Sequence, residues 1–491
     1  MSADKLNILN FSDRKNVTLH LSWVAFFITF FMWFSHSSLM PLIKAAFGLS
    51  GAEVKALLFL NVALTIPSRT LVGMLVDKFG PRLMFSLLLV VSGLFCIGFA
   101  LAQTYEQLAA FRFLLGFAGA GFVIGIRLIT EWFPAKQAGT AQGIYGGWGN
   151  FGAAAAGFIL PALAAFFGGE DGWRSAAGSA GVVSILYAAF FYLKVRNTPK
   201  GSTYFSPKKL GPMEVTSKGD FYLYLIMCAP MFLAMGVITW RLSPAGVGLL
   251  SESVAQMIWL GLGAWYLYQV VQIYRVNKDN LRTEIPELHR YKFKQVALLN
   301  LAYMVTFGSE VAVVSMLPLY FIDTFEVSIA VAAAMASSFM AMNLIARPGG
   351  GYISDKVGRK MSLLVTVIGS AIGYVGMSLI DSEWSIGLTM AVVIFCSFFV
   401  QAGAGATFGV VPTIKRRLTG QIAGLTGAYG NVGAASFLLV YSLSDATTFF
   451  TVIAVCCAVV AGMIILFLEE PKGQIAEVLP DGTVELIDVG K

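Results

Sequence analysis

Fourteen apolar stretches, each about 20 residues long, recur along this chain of 491 residues. At about 1.5 Å of rise per residue, each is long enough to cross the ~30 Å hydrocarbon core of a bilayer as a helix. They fall near 21–43, 55–76, 83–102, 107–130, 141–167 and 173–195, then 220–241 and 246–274, then 296–321, 329–353, 361–380, 385–410, 421–443 and 447–468. The runs are continuous and do not alternate, which requires helices rather than a barrel. Only 12% of the residues are charged, against about 25% in a soluble domain. Soluble enzymes and nucleic-acid binders are thereby disfavoured, and the net charge of +7 needs another cause.

The cause lies in where Lys and Arg sit. With the N-terminus inside, 26 of the 34 fall in the inner segments 1–20, 77–82, 131–140, 194–219, 275–295, 355–360, 411–420 and 469–491. Outside are Lys44, Lys55, Arg174 and Arg241. This is the positive-inside bias of a membrane protein. The expected fold is an all-α membrane protein with two six-helix halves, 21–195 and 296–468. Cytoplasmic tails are expected at 1–20 and 469–491. Between the halves, 196–295 forms cytoplasmic loops around an inserted two-helix hairpin at 220–274, which leaves and returns because both its flanks are basic. The expected location is the inner (plasma) membrane of a bacterium.

Five Cys lie within apolar segments, and His20, His36 and His289 are scattered, so neither a disulfide framework nor a metal centre is expected. No cofactor is implied. No Gly-x-x-x-x-Gly-Lys-[Ser/Thr] loop is present, so ATP is not the expected driver. His36 reads as a core residue.

The two halves repeat in sequence. "SRTLVGMLVDKFGPR" (68–82) aligns without gaps on "ARPGGGYISDKVGRK" (346–360), matching Arg69 with Arg347, Gly73 with Gly351, Asp77 with Asp355 and Gly80 with Gly358. "GGWGNFGAA" (146–154) aligns on "GAYGNVGAA" (427–435), matching Asn150 with Asn431. Parallel repeats with a site between them near mid-bilayer are a transporter architecture.

The Gly-x-x-x-Asp loop pattern after the second helix of each half resembles the signature of the major facilitator superfamily, as does "RFLLGFAGAGF" (112–122). The paired glycine-asparagine motifs, with "GATFGVVPTIKRRLTGQIAGLTGAYGNVG" (405–433), resemble more specifically the nitrate/nitrite porter family. That resemblance implies a carrier of nitrate, and of nitrite, with Arg69 and Arg347 as the anion-binding pair. It also implies Tyr303 and Phe307 at the anion, with Phe34 and Phe122 as further aromatic walls. The family's usual twelve-helix plan leaves the hairpin unexplained.

The residues themselves support part of this. Arg69 lies eight residues before Asp77, roughly 12 Å along a helix, which puts it near the midplane. A midplane arginine costs about 2.5–3.5 kcal/mol on insertion scales, so two need an offset. One offset is an anionic substrate, since guanidinium is a planar donor fork suited to a planar oxyanion. The alternative is permanent pairing with an intramembrane acid, for which Glu131 and Glu310 are the candidates. Asn150 and Asn431, beside Gly149 and Gly430, suit either close helix packing or packing plus direct anion contact. Trp148 and Tyr429 read as packing residues. Glu310 reads either as a proton-coupling carboxylate that pairs with an arginine when the site is empty, or as a static acid. Asp77 and Asp355, with Gly73 and Gly351, read as gating residues that bond a helix N-terminus or a loop arginine in one conformation.

The expected function is thus a monomeric secondary transporter using proton symport, with nitrate/nitrite antiport as the alternative. A carrier of another small anion and a non-transporting sensor are the further readings. No catalytic residues are expected, and the partners are the anion, protons and membrane lipid, without nucleic acid.

Overall fold

The computed structural model describes residues 7–207, 211–282, 285, 290–471, 473–478 and 484–488, so His289 lies outside the described residues. Six crossings make the first half: α1 (Arg14–Phe47), α2 (Gly51–Ala63) continued by α3 (Thr65–Phe79), α4 (Pro81–Leu101), α5 (Tyr105–Leu115) continued by α6 (Gly121–Trp132), α7 (Ala135–Phe167) and α8 (Gly172–Lys194). The second half repeats them with α11 (Phe293–Tyr303) continued by α12 (Ser309–Phe325), α13 (Ile329–Ala341) by α14 (Asn343–Val357), then α15 (Arg359–Ser378), α16 (Ile386–Val410), α17 (Thr419–Leu443) and α18 (Ala446–Phe467). Thirteen of the fourteen segments, counted among the described residues, are long and apolar enough to span a bilayer. The remaining one, α13–α14, carries Arg347 and the Pro348–Gly351 run.

Local chemistry sets the ends. Ser50 and Glu53 form a reciprocal cap at the start of α2, with Ser50 N donating to Glu53 Oε2 at 2.8 Å. Gly80 and Gly358, matched in the repeat, end α3 and α14 with φ of +86° and +125°. Only glycine adopts such backbone freely, and each turn feeds the next helix at once. The second crossing of each half is interrupted by one residue, Leu64 and Met342, which occupy the same repeat position. Pro67 lacks the N–H that would bond Ala63, which accounts for the first interruption.

Several boundaries differ from the sequence reading, among them the second hairpin helix, which starts at Glu252 rather than near 246. Helix α1 starts at Arg14, inside the segment read as a tail, because Asp13 caps it and Asn16 is buried and bonded to the carbonyls of Asn7 and Asn10. Helix α7 starts six residues early, at Ala135. The tail 469–491 contains a small antiparallel strand pair, Gln474–Val478 with Val484–Asp488, the one exception to an all-helical fold among the described residues.

The hairpin consists of α9 (Lys218–Leu242) and α10 (Glu252–Asn277), antiparallel, with Trp259 donating to Gly236 O and Tyr266 to Leu225 O. Helix α9 lies along the line where α3 meets α17. Tyr429 of α17 donates to Met227 O at 2.7 Å, and Tyr224 packs on Phe293. Helix α10 is outermost and presents Leu260, Leu267 and Tyr268 outward.

Two glycine-lined seams join the halves. Helix α7 packs on α14, where a Cβ on Gly143 would stand 2.5 Å from Arg347 O. Helix α17 packs on α3, where a Cβ on Gly424 would stand 2.5 Å from Arg69 O. Both obstacles are backbone, which cannot swing away. Gly73 and Gly351 serve the same seams, against Gly420 O and Gly139 O. Gly143→Ala and Gly424→Ala are therefore expected to lower the thermal stability of the purified protein, each by about 1–3 kcal/mol of overpacking. Gly261→Ala, on α10 with open space around it, leaves the melting temperature unchanged; light-scattering melts of the three variants check this.

Candidate functional site

Arg69 and Arg347 stand five residues past the two helix interruptions and are buried between the seams. Arg69 donates from Nε to Gly119 O at 3.0 Å and from Nη1 to Gly427 O at 2.7 Å, leaving Nη2 without a partner. Arg347 donates from Nη2 to Glu310 Oε2 at 3.0 Å, leaving Nε without one. Asn343, one turn before Arg347, donates to the other Glu310 oxygen at 2.7 Å. The two sequence-level alternatives are therefore divided between the arginines: Arg347 has an acid, while Arg69 is held by backbone carbonyls.

Aromatic rings join the two guanidinium groups. Arg69 lies over Phe307 at 5.2 Å and over Phe122 at 5.7 Å, and Arg347 lies over the same Phe307 at 5.3 Å. Such stacking disperses positive charge over the ring faces. Tyr303 stacks on Phe307 at 5.0 Å and on Phe122 at 6.0 Å, and its hydroxyl makes no well-formed hydrogen bond. Phe307 belongs to a single π-helical turn, Met304–Gly308, between α11 and α12. Such turns recur at functional sites.

The glycine-asparagine runs reach this cage from opposite sides. Gly146 faces Arg347 Nη1, and Gly427 supplies the carbonyl bonded by Arg69. Asn150 and Asn431 follow these glycines by one turn, on the same helix faces. Both amide atoms of Asn150 are buried without a partner, as is Oδ1 of Asn431, whose Nδ2 donates to Gly427 O at 3.3 Å. Buried polar atoms are ordinarily paired, and here Arg69 Nη2, Arg347 Nε, Asn150 Nδ2 and the Tyr303 hydroxyl all have donor capacity left over.

Gly430 packs against Phe307 and Tyr303. Its repeat mate Gly149 packs in the same way on the first helix of its own half, against the Phe26 ring of α1. Phe34 packs on Phe30 and Trp33 of its own helix, while Phe26, two turns earlier, is the α1 ring that meets Phe122 at 5.5 Å. The sequence reading missed Phe408, which packs edge-on against Phe122 and Tyr303 at 4.5 and 4.7 Å. Its signal was the match of "GATF" (405–408) with "GAGF" (119–122). Trp148 packs on Trp23, and His36 is buried with Ser37 bonded to its ring.

The basic face of the protein is latched shut. Asp77 accepts from Gly420 N at 2.9 Å and Gln421 N at 2.8 Å, capping α17 of the other half. Asp355 accepts from Gly139 N at 3.0 Å and Thr140 N at 2.6 Å, in the second turn of α7 of the other half. Arg127 pairs with Asp77 at 3.2 Å and Glu131 at 3.1 Å and bonds Arg416 O across the seam. Arg359 pairs with Asp355 at 3.3 Å and bonds Ala135 O across the other. Both site arginines are buried behind these latches.

The sequence profile of the Major Facilitator Superfamily matches residues 22–438 and 299–483. The nitrate/nitrite transporter NrtP of Nostoc punctiforme is 42% identical over 476 residues, covering 96% of this chain and 95% of that protein. The NrtP of a Picosynechococcus species is 43% identical, covering 95% of each. A probable nitrate/nitrite antiporter of Thermus thermophilus is 27% identical, covering 89% of this chain and 86% of its own length. Among solved structures, the proton:xylose symporter XylE superposes with a TM-score of 0.63 at 14% identity, covering 94% of this chain and 97% of that one. The Escherichia coli fucose:proton symporter FucP gives 0.59 at 12%, covering 92% and 99%. The two-half helical fold, the repeated latches and this similarity along nearly the whole length agree: the chain is an integral membrane carrier, not an enzyme, and belongs to the nitrate/nitrite porter family of the major facilitator superfamily.

Proposed function

We propose that this protein moves nitrate, and also nitrite, across the plasma membrane by alternating access, binding the anion between Arg69 and Arg347 and coupling its entry to protons through Glu310. The observation that carries the coupling is the Glu310–Arg347 pair, 3.0 Å apart, with Asn343 on the second oxygen. With Glu310 ionised and the site empty, the two arginines and the carboxylate sum to one positive charge, and entry of one monovalent anion together with one proton leaves that sum unchanged. Nitrate and the carboxylate compete for Arg347. A proton on Glu310 releases the guanidinium to the anion, and loss of both lets the carboxylate pair with Arg347 again. The empty site then carries one surplus charge instead of two, so the unloaded carrier can rock back. The donors at Arg69 Nη2, Arg347 Nε, Asn150 Nδ2 and Tyr303 suit a small planar oxyanion held at several points.

Gating falls to Asp77 and Asp355, whose bonds to backbone N–H groups of α17 and α7 must break for the basic face to open, with Gly73 and Gly351 allowing the close approach. The Lys and Arg distribution puts that face and both termini in the cytoplasm, and the prokaryotic relatives support a plasma-membrane location. A monomer suffices for this mechanism, because both arginines come from one chain. Exchange of nitrate for nitrite is the second reading, favoured by the name of the Thermus relative.

Uptake of labelled nitrate into proteoliposomes tests both. Arg69→Lys keeps the charge but loses the fork, and is expected to raise KM about 10- to 100-fold, the value of one or two charge-assisted hydrogen bonds. Unchanged KM in the folded variant would remove Arg69 from the site. Vesicles without internal nitrite are expected to take up nitrate faster under an inward proton gradient. Glu310→Gln is expected to lose that stimulation and keep exchange against internal nitrite. Uptake that always requires internal nitrite, with or without Glu310, establishes exchange instead.

A further inference from the structure

The linker between the halves enters one of the two latches. Its beginning is tied to the first half: Trp132 Nε1 donates to Arg196 O at 3.0 Å, and Arg82 N donates to Asn197 Oδ1 at 2.8 Å. Its end is tied to the second half and the hairpin: Arg417 pairs with Glu214 at 2.9 Å, Thr216 donates to Tyr291 O at 2.6 Å, and Val215 N donates to Asn277 Oδ1 at 2.6 Å. Between these anchors, Tyr204 and Phe205 insert into the seam beside Asp77. The Tyr204 hydroxyl donates to Val76 O at 2.6 Å and accepts from Arg127 Nε at 3.2 Å, while the ring lies under the Arg127 guanidinium at 4.7 Å. Arg127 Nη2 donates to Phe205 O, and Arg416 of the second half covers the Phe205 ring at 5.8 Å.

We infer that Tyr204 and Phe205 are positioning residues of the cytoplasmic gate, a wedge that completes the hydrogen bonding of Arg127 and so holds the Asp77 latch closed. This rests on the alternating-access reading above. Arg127 is fully buried, forms ion pairs with Asp77 and Glu131, and donates to Arg416 O, Tyr204 and Phe205 O. Without the linker, Nη2 loses its partner, and a buried charged donor left unpaired is costly. Burial pushes the Tyr204 phenol up in pKa, so it remains a neutral donor at every physiological pH. The wedge touches both halves at once. Separation of the seam must therefore withdraw it, so the contacts of Tyr204 and Phe205 set how readily the gate opens. Among the described residues, the equivalent latch at Asp355 includes no linker residue: there Arg359 itself reaches Gly409 O and Ala135 O.

The test reads the opposite latch, so that local loosening is not mistaken for gating. Ser354 is buried at the Asp355 latch with a hydroxyl that has no partner. Ser354→Cys, in a chain whose five native cysteines are replaced by alanine, reports opening of that face to an impermeant maleimide in inside-out vesicles. Tyr204→Ala is expected to speed labelling about five- to tenfold, the worth of one or two net hydrogen bonds. It is also expected to raise KM for external nitrate with little loss of kcat, because fewer carriers face outward. Tyr204→Phe, which keeps the ring over Arg127, falls between, and Tyr222→Ala, on the exposed face of α9, matches the parent. Unchanged labelling in folded Tyr204→Ala overturns the inference. If that variant does not fold, Tyr204→Phe decides alone, with faster labelling supporting it and unchanged labelling overturning it. Labelling needs no substrate, so a wrong anion assignment does not disturb this result.

Discussion

A guanidinium buried without a carboxylate governs the rest of this structure. Arg69 is fully enclosed, and its two bonded nitrogens meet backbone carbonyls, Gly119 O from its own half and Gly427 O from the other. Carbonyls and ring faces spread a positive charge but do not cancel it. Bringing Gly427 O within 2.7 Å requires α17 to lie almost on α3, which requires Gly73, Gly420 and Gly424 at the contact. That close seam in turn brings the Asp77 carboxylate to the start of α17. The midplane charge, the glycine ladder and the latch are thus consequences of one another.

The second arginine repeats the geometry and breaks the electrostatics. Arg347 stands at the same point past a helix interruption and against the same kind of seam, yet it meets Glu310. A buried ion pair brings little net stability, because desolvation offsets much of the attraction, whereas losing one partner is expensive. A pair of this kind is better suited to a choice between partners than to holding helices together. On the proposed function, the anion and the proton would be two ways of satisfying the same two groups, which makes the pair the proposed point of coupling.

The architecture was legible in the sequence because it depends on length, apolarity and charge placement, which are local properties. Arg69 and Arg347 stood out because an arginine eight residues inside a span has no inexpensive explanation. The repeat register then fixed Asp77 with Asp355 and Asn150 with Asn431. Orientation around a helix axis was less legible. Gly149 and Gly146 are both in a glycine run, and only packing decides that Gly146 faces Arg347 while Gly149 faces Phe26. Phe34 and Phe26 differ by two turns along α1, a depth that hydropathy does not resolve. The pairing of Glu310 with Arg347 rather than Arg69 depends on a π-helical turn at Met304–Gly308, which shifts the register of every later side chain on that helix. Tyr204 was invisible, since a tyrosine in a basic loop shows no periodicity and its partners, Val76 and Arg127, come from two distant segments.

The segments outside the membrane complete the symmetry that the helices begin. After the sixth crossing of the first half, Asn197 folds back to accept from Arg82 N at the start of α4. After the sixth crossing of the second half, Glu470 folds back to accept from Arg359 N and Lys360 N, both at 2.7 Å, at the start of α15. Each bond caps a helix whose preceding turn is the positive-φ glycine, Gly80 or Gly358, that follows the latch aspartate. The turn is held from both sides, so Asp77 and Asp355 stay fixed to their own halves as rigid points. A latch made of a rigid carboxylate and backbone N–H groups of a helix in the other half has two states, bonded or apart, with little between them. On the alternating-access proposal, rocking can then be all-or-none, because the charge-assisted bonds of a latch break together.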